Sequence, residues 1–403
     1  MTKNNSSSIF IAFIIFIIIL CTSSVTAAMF GTTQIEIFLC CIGLLFLFIN
    51  KGSSYNQSHF IGYTVGLLFL TSIQFIIYSD NILHWLRFVL LLIVMTQMST
   101  YTINRNINVV KVFYYVFLMM CIASSVFYVA VEILGVGLPH MTFTTEWLPT
   151  YEVYYYLYSS TVTEFGTDSF LGYTFKRNCG YFTEPGLYAV FIVLALFIYF
   201  FVKKEKKLWE LALFSVILLS TFSTTGLIMA VIIAAYYFNR KGIKSAPLKI
   251  LLALVSVFVV AFVIIDLLSA KQEEHAFSYA SRTFDLIGGV EVFLQSPIWG
   301  HGYDNHKVFQ AISLNEFGAE RQDSNGVISA LYQLGLLGCA IFYMPFVKLK
   351  KKLKANKGLF VFFAILLVVL TMGEPIQYTT TGAAIIGYLN AMLLTSKRVS
   401  FEF

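Results

Sequence analysis

Charged side chains are scarce in this chain. Only 12% of its 403 residues are charged, whereas 58% are hydrophobic and the mean hydropathy is +0.78. A soluble domain carries about 25% charged residues, because its surface faces water. The low charge content therefore excludes an ordinary soluble domain and predicts a protein whose main solvent is lipid.

Residue patterns that would define a cofactor site are also lacking. All cysteines except Cys179 fall within apolar stretches, and no Cys-x-x-Cys or Cys/His spacing occurs. Glycine-rich loops of the P-loop or dinucleotide type are missing as well. We therefore expect no metal, no other cofactor and no disulfide framework, and an ATP-driven or redox activity has no support.

Apolar stretches recur from end to end. A helix that crosses a bilayer takes about 20 residues, so these stretches predict an all-α, polytopic membrane protein of about 12 transmembrane helices. Their ranges are 9–28, 33–50, 59–78, 81–98, 109–134, 186–202, 208–222, 225–238, 248–266, 324–347, 358–373 and 377–395. The short pair 208–222 and 225–238 predicts a tight hairpin joined at residues 223–226. The first stretch also resembles a cleavable signal peptide.

Basic residues indicate the orientation of these helices, because Lys and Arg next to a span are retained in the cytoplasm. With the amino terminus inside, most of the 27 basic residues fall on inner segments, including the clusters at 203–207, 240–249 and 348–357. The net charge of +6 is therefore explained by topology and does not indicate nucleic-acid binding. The chain is predicted to be a multi-pass protein of the cytoplasmic (inner) membrane.

This topology leaves two long segments on the extracytoplasmic (periplasmic) side, while every inner loop is short. Loops of this length usually carry function, so the active site is expected to face that side. The predicted organisation is helices 1–5 in residues 1–134, an outer loop in 135–185, helices 6–9 in 186–266, a catalytic outer loop in 267–323, and helices 10–12 with a cytoplasmic tail in 324–403.

The first long segment is rich in tyrosine. Rings with a polar tip suit the membrane interface, and they also suit stacking on sugar rings, so both interpretations stay open. The tyrosines are Tyr151, Tyr154, Tyr155, Tyr156, Tyr158, Tyr173 and Tyr181.

A polar cluster closes this segment. Glu184 and Pro185 are typical of a helix start, and Glu184 is also a candidate substrate contact or base. Arg177 carries a guanidinium that matches the bidentate geometry of a phosphate or diphosphate.

The second long segment has an apolar pattern of three- to four-residue spacing over 287–294. This pattern predicts an amphipathic helix at the interface, with Arg282 just ahead of it and its end at Pro297. Gly300 and Gly302 allow close backbone approach beside His301. The candidate substrate contacts here are His301, Tyr303 and His306, although a lone loop histidine is more often structural.

Asp323 lies directly before the span that starts near residue 324, flanked by Arg321. A carboxylate, Ser or Asn at a helix start is ordinarily a cap, but Asp323 is also a candidate general base for a sugar hydroxyl. Arg321 and Asn325 are candidate substrate contacts. Arg87 lies about two turns inside its span, where an ionisable residue is a functional candidate, as a lipid-phosphate contact or as a structural partner.

Three landmarks resemble one family. They are R-x-x-G at 177–180 followed by Glu184-Pro185, then Ser281-Arg282 before a helix that ends in S-P-x-x-G-x-G at 296–302, then a polar patch leading into L-Y-Q-L-G-L-L-G at 331–338. In this order they look like the O-antigen polymerase and ligase superfamily of the Wzy and WaaL type. The resemblance covers residues 175–345.

The resemblance implies a fold similar to the GT-C glycosyltransferases and a metal-independent reaction. A glycan would pass from undecaprenyl diphosphate to an acceptor hydroxyl on the extracytoplasmic side, with inversion at the anomeric carbon. Arg177 and Arg282 match the two arginines expected to hold the diphosphate. The implied partners are oligosaccharides linked to undecaprenyl diphosphate and the bilayer, and a chain-length regulator stays open.

This chain departs from the ligases in two places. Ser324 and Asn325 stand where ligases have a His-Asn pair, and Ser223 to Gly226 lack the arginine that ligases often place there. Both departures favour a polymerase of O-antigen or capsule repeat units. A ligase, a flippase or secondary transporter, and a structural partner of an export complex remain the alternatives; the chain shows no convincing internal repeat of the transporter kind.

Overall fold

Helices make up most of the described chain. The computed structural model describes residues 3–22, 24–49, 57–78, 82–144, 150–161, 167–170, 173–241, 276–303, 305–317, 323–353 and 357–395. The helices are α1 Lys3–Leu20, α2 Val25–Phe30, α3 Thr32–Ile49, α4 Gln57–Tyr78, α5 Ile82–Asn104, α6 Val109–Tyr128, α7 Pro185–Phe201, α8 Leu208–Ser220, α9 Thr224–Lys241, α10 Ala276–Gln295, α11 Lys307–Phe317, α12 Gly326–Phe342, α13 Met344–Lys352, α14 Lys357–Gly373 and α15 Thr380–Leu394.

Helices occupy most of the predicted apolar stretches that the structure describes, as in a helical membrane protein. The stretch at 9–28 is divided between α1, which ends at Leu20, and α2, which begins at Val25. Within the described residues, four helices are long and apolar enough to cross a bilayer, namely Phe60–Tyr78, Trp85–Asn104, Val109–Ile133 and Gly326–Lys351. Shorter apolar helices occupy Ser8–Leu20, Thr33–Gly43, Pro185–Phe201, Leu208–Ser220, Lys357–Gly373 and Thr380–Leu394. Twelve spans stay a prediction, and the stretch at 248–266 lies outside the described residues.

The predicted hairpin is confirmed with a small shift. Its turn lies between the end of α8 at Ser220 and the start of α9 at Thr224. Phe222 in this turn has a φ of 50°, a left-handed conformation that interrupts the helical path between α8 and α9.

The all-α prediction is wrong for the first long segment, which contains five short strands. They are β1 Met141–Phe143, β2 Tyr151–Tyr154, β3 Tyr158–Thr161, β4 Thr167–Phe170 and β5 Tyr173–Lys176. β1, β2 and β3 form one antiparallel sheet, and β4 pairs with β5. Aromatic and β-branched residues favour such pairing. Every residue of β3 is buried, so the alternation that marks a half-exposed strand is missing.

Two tyrosines form the tip of the β2–β3 hairpin in an unfavourable conformation. Tyr155 and Tyr156 are exposed and have φ values of 51° and 59°. A left-handed conformation costs about 1–2 kcal/mol for a residue with a side chain. The Tyr155 ring lies 5.9 Å from that of Phe127, and the Tyr156 ring lies 5.6 Å from that of Phe30. These ring contacts offset part of the cost.

The chain divides into two compact units that alternate along the sequence. The first unit comprises residues 1–32, 108–276 and 400–403, and the second comprises residues 33–107 and 277–399. The first unit therefore holds the strands and α6 to α9. The second holds α4 and α5 together with α10 to α15, except for the first residue of α10.

The second unit is organised around α12. A buried cluster joins Val292 of α10, Phe309 of α11, and Ile328 and Tyr332 of α12. α4 also packs on α12, and α15 packs along α5. Within the predicted span at 324–347 one residue, Tyr343, separates the end of α12 at Phe342 from the start of α13 at Met344.

Candidate active site

In the first unit, Arg177 lies against the turn between α8 and α9. Its Nε donates to the Thr221 carbonyl oxygen at 3.1 Å, and the neighbouring Asn178 donates from Nδ2 to Ser220 Oγ at 3.1 Å. Cys179 is buried, and burial raises the pKa of its thiol from 9.0 to about 12 against the opposing Arg177 charge. The hairpin turn thus holds one nitrogen of the Arg177 guanidinium.

Glu132 ties the sheet of the first unit to the end of α6, at the π-helical turn Val129–Ile133. Its Oε2 lies 3.2 Å from Lys176 Nζ, and its Oε1 accepts from the Tyr158 hydroxyl at 3.4 Å. Burial and the Glu132 charge raise the pKa of Tyr158. Burial and the hydrogen bond to Glu152 likewise raise the pKa of Tyr154. Both phenols therefore stay protonated at neutral pH and donate to carboxylates.

Glu184 precedes α7 as the pattern of the sequence predicts. It is exposed and occupies the N-cap position, with Pro185 as the first helical residue. Its side chain makes no capping hydrogen bond, so its contribution to the helix start is the negative charge at the N-terminal end of the helix dipole.

In the second unit, α12 is broken at Gly335, whose φ and ψ are 64° and −179°. Such a break leaves backbone groups without helical partners. The loop 296–302 supplies new ones: the N–H groups of His301 and Gly302 donate to the carbonyls of Tyr332 and Gln333 at 2.8 and 3.0 Å, and the Leu336 N–H donates to the Pro297 carbonyl at 2.8 Å. The S-P-x-x-G-x-G motif is therefore the backbone partner of the broken helix.

The predicted close backbone approach is confirmed at Gly300 but not at Gly302, where the atom nearest to an added Cβ would be Asn305 Cβ at 3.8 Å. A Cβ at Gly300 would lie 2.3 Å from the Gln333 carbonyl oxygen, and a Cβ at Gly335 would lie 2.4 Å from the Ile298 carbonyl oxygen. No larger residue fits either position without backbone movement. Gln74 of α4 also joins the loop to the broken helix, because its Nε2 donates to the carbonyls of Trp299 and Gln333 at 2.5 and 3.0 Å.

Asp323, Tyr332 and His306 form a hydrogen-bonded cluster. The Tyr332 hydroxyl donates to Asp323 Oδ1. His306 Nδ1 lies 3.2 Å from the same oxygen and 2.9 Å from the Tyr332 hydroxyl oxygen. Gln333 Nε2 lies 3.4 Å from His306 Nε2 and donates to Ser329 Oγ at 3.0 Å. The structure thus brings together two of the residues predicted from the sequence, Asp323 and His306.

The second carboxylate oxygen of Asp323 is buried as well. Oδ2 has no hydrogen-bond partner among the described residues, and the carboxylate side chain is 0% exposed. A buried carboxylate oxygen without a partner is costly, and a catalytic role is one of the explanations for such a group.

The helix that carries Arg282 begins earlier than the sequence predicts. The prediction that Arg282 precedes the helix is wrong, because α10 begins at Ala276 and Arg282 is an exposed residue within it. One turn later, Asp285 Oδ2 accepts from the Ser324 N–H at 3.0 Å and from the Ser324 hydroxyl at 2.7 Å. The Arg282 helix is thereby tied to the residue next to Asp323.

Two of the remaining candidates have structural partners. His301 is buried, and its Nε2 lies 2.9 Å from the Val292 carbonyl oxygen. Arg87 Nε lies 3.1 Å from Glu36 Oε2, as expected of a structural partner.

The other candidates are divided between capping, packing and the undescribed part of the chain. Asn325 caps α12, since its Oδ1 accepts from the N–H groups of Val327 and Ile328, each at 3.2 Å. Tyr303 packs its ring 4.5 Å from that of Trp85. Arg321 lies outside the described residues.

Sequence reasoning missed four polar residues of the site. Ser329, Tyr332 and Gln333 follow Asn325 at helical spacing, so one polar face in an otherwise apolar span was the signal that could have found them. Asp285 stands three residues after Arg282, and nothing in the local pattern separates it from a solvated surface carboxylate.

Comparison with protein families adds a match over residues 210–343 to the family described as O-Antigen ligase, Wzy_C. The match supports the O-antigen polymerase and ligase superfamily. It spans a third of the chain, from α8 to the residue after α12. Neither the comparison with curated proteins nor that with solved structures found a match.

The superfamily match covers most of the site in the second unit. Arg282, His306, Asp323 and Tyr332 all lie within residues 210–343, whereas Arg177 and Glu184 precede them. Within the described residues, no group of three or more His, Cys, Asp or Glu side chains is placed to hold a metal ion.

Proposed function

We propose that this protein is a polymerase of O-antigen or capsular repeat units. It transfers the growing glycan from undecaprenyl diphosphate to the non-reducing-end hydroxyl of a second lipid-linked repeat unit, with inversion. The reaction takes place on the extracytoplasmic side of the cytoplasmic membrane. The observation that carries the proposal is the buried Asp323 cluster inside the segment that matches the superfamily.

Each end of the reaction has its own residues. The resemblance assigns Arg177 of the first unit and Arg282 of the second to the donor diphosphate, where a guanidinium stabilises the negative charge that develops as the diphosphate leaves. The cluster of Asp323 and His306 accepts the proton of the attacking hydroxyl. The exposed tyrosines of the first unit contact the glycan or the membrane interface.

The second candidate function is ligation of finished glycan to lipid A core or protein, and the family description favours it. The surroundings of Ser324 support the polymerase instead. Its hydroxyl donates to Asp285 and so serves to join two helices, which is a structural use of the position where the resemblance would place the ligase histidine.

A deletion strain separates the two candidates. Loss of a polymerase leaves a single repeat unit on the acceptor, whereas loss of a ligase leaves long chains on undecaprenyl diphosphate. We expect the single-repeat product when the surface glycan is separated on a gel. Long lipid-linked chains would overturn the polymerase proposal in favour of the ligase.

Complementation of that strain tests the arginines. Arg177→Ala and Arg282→Ala are each expected to reduce chain elongation by about 100-fold at normal protein level, because each removes charge stabilisation of the leaving group. Arg240→Ala removes an exposed arginine at the end of α9 and serves as the matched control. Full-length polymer from both of the first two variants would contradict the proposed roles.

A further inference from the structure

The Asp323 cluster contains two groups that can accept a proton, and the structure distinguishes them by exposure. The Asp323 side chain is 0% exposed, whereas the His306 side chain is 15% exposed. A general base must come within hydrogen-bond distance of the hydroxyl that it deprotonates. The imidazole is therefore the more accessible of the two groups to an acceptor sugar, and the carboxylate is enclosed.

The hydrogen bonds also assign the tautomer of His306. Asp323 Oδ1 already accepts the Tyr332 hydroxyl, and a carboxylate can only accept, so the facing Nδ1 carries a proton and donates. The Nε2 of the neutral ring then bears the lone pair. Gln333 Nε2 is a donor 3.4 Å from it, which agrees with this assignment, and such a long contact is readily replaced by a hydroxyl.

On these grounds we propose that His306 Nε2 is the general base for the acceptor hydroxyl, and that Asp323 and Tyr332 are positioning residues which orient the ring through Nδ1. This assignment rests on the proposed glycosyl transfer. It replaces Asp323 as the proton acceptor and gives Asp323 the task of holding one imidazole tautomer.

The glycosyl transfer forms one bond at the anomeric carbon, breaks one there, and moves one proton. As the acceptor oxygen forms its bond to the anomeric carbon, its proton moves to His306 Nε2. The bond from that carbon to the diphosphate oxygen breaks, and its electron pair leaves with the lipid-borne diphosphate. The imidazolium, paired with the Asp323 carboxylate, then releases the proton to solvent.

Other ionisable groups stand on the elements packed around His306. Among the described residues they are Tyr279, Arg282, Asp285 and Glu291 on α10, Lys307 and Glu316 on α11, and Asp323, Tyr332 and Cys339 at α12. Asp323 and Tyr332 both lie within hydrogen-bond distance of Nδ1.

The test uses the full chain in nanodiscs, with lipid-linked repeat unit as substrate and the pH profile of kcat as readout. Wild-type kcat is expected to fall at low pH, because an imidazolium cannot accept a proton. His306→Asn should lower kcat by about 100-fold or more, leave KM within about threefold, and abolish this acid limb. His140→Asn, the same substitution at an exposed histidine of the first unit, should leave kcat and its acid limb unchanged.

Asp323→Asn separates orientation from direct proton transfer. The carboxylate stabilises the charged ring, so its removal lowers the histidine pKa and moves the acid limb to lower pH, with a reduced kcat. His306→Ala provides a second measurement, since added imidazole should restore part of its activity if the variant has merely lost its base.

The outcomes distinguish the assignment from the proposed function. A wild-type protein that fails to elongate the lipid-linked unit overturns both. An active wild type with a His306→Asn variant that keeps its kcat and its acid limb overturns only the assignment of the base. An acid limb that is unmoved in Asp323→Asn contradicts the positioning role of Asp323.

Discussion

Asp285 accepts two hydrogen bonds from Ser324, one from its backbone N–H at 3.0 Å and one from its hydroxyl at 2.7 Å. Asp285 is fully buried, and the two residues are 39 positions apart in the sequence. This contact joins the helix that carries Arg282 to the residue that follows Asp323. It therefore fixes the helix of Arg282 relative to the backbone next to Asp323.

Replacing Asp285 tests this contact. Asp285→Ala leaves both Ser324 donors without this acceptor, and we expect a loss of about 2 kcal/mol in unfolding free energy, because bonds to a charged group contribute about 1.5–3 kcal/mol. The measurement is thermal unfolding in detergent together with chain elongation, which should also fall. Glu291→Ala, an exposed carboxylate on the same helix, should stay within about 0.5 kcal/mol of wild type. Equal behaviour of the two variants would refute a joining role for Asp285.

Gly335 supports a second prediction, because its backbone conformation is almost restricted to glycine. Gly335→Ala combines that strain with a Cβ 2.4 Å from the Ile298 carbonyl oxygen. We expect a loss of about 3 kcal/mol or more, and reduced elongation, since Tyr332 and Gln333 lie just before the break. The check is the unfolding midpoint of the purified protein beside that of Gly62→Ala.

Gly62 is a suitable control because, apart from its chain neighbours and the backbone of its own helix, no atom lies within 4 Å of the position that its Cβ would occupy. Alanine there should be neutral or slightly stabilising in a helix, with an expected gain of up to about 1 kcal/mol. If Gly335→Ala unfolded at the same temperature as Gly62→Ala, the described break in α12 would be wrong.

A buried ion pair in the first unit supports a third prediction. Lys203 and Glu210 side chains are 3% and 2% exposed, and Lys203 Nζ bonds Glu210 Oε2. The Tyr114 hydroxyl donates to the same oxygen at 2.8 Å, and Lys203 Nζ lies 4.9 Å from the centre of the Tyr114 ring. Removing the lysine charge leaves the Glu210 carboxylate buried without its ion-pair partner, so Lys203→Met should lower the free energy of unfolding by about 3–5 kcal/mol.

The double variant Lys203→Met with Glu210→Met should recover most of that loss, because neither charge then remains buried. Denaturant titration of the four proteins of this double-mutant cycle gives the coupling energy. Lys204→Met removes an exposed neighbouring lysine and should shift stability by less than about 0.5 kcal/mol. A double variant as unstable as the single one would show that packing, and not the stranded charge, causes the loss.

Local patterns were sufficient for the helices and for several positions of the site. The Glu184-Pro185 helix start and the close approach at Gly300 follow from the sequence, since each depends on neighbouring residues. The sequence leaves Arg87 open between a lipid-phosphate contact and a structural partner, and the structure shows its ion pair with Glu36. The strands were missed because β2 and β3 are largely buried on both faces, which removes the alternation that identifies a strand.

The pairing of His306 with Asp323 was beyond the reach of such patterns. The two residues are 17 positions apart, and α11, which lies between them, was not predicted. Their contact depends on how α10, α11 and α12 pack around Val292, Phe309 and Tyr332. The sequence leaves Asp323 open between a general base and a helix cap, and in the structure the cap of α12 is Asn325.

The sequence by itself determined that lipid is the main solvent, where the apolar helices lie and which superfamily the motifs resemble. These properties add up along the chain, because transfer of each residue into lipid depends mainly on that residue and its neighbours. Tertiary structure alone decided where α12 breaks and which loop binds the carbonyl groups freed by the break. It also decided that His306 is partly exposed while Asp323 is buried. Those outcomes depend on packing between segments far apart in sequence, because a densely packed interior leaves little room for any other arrangement of these segments.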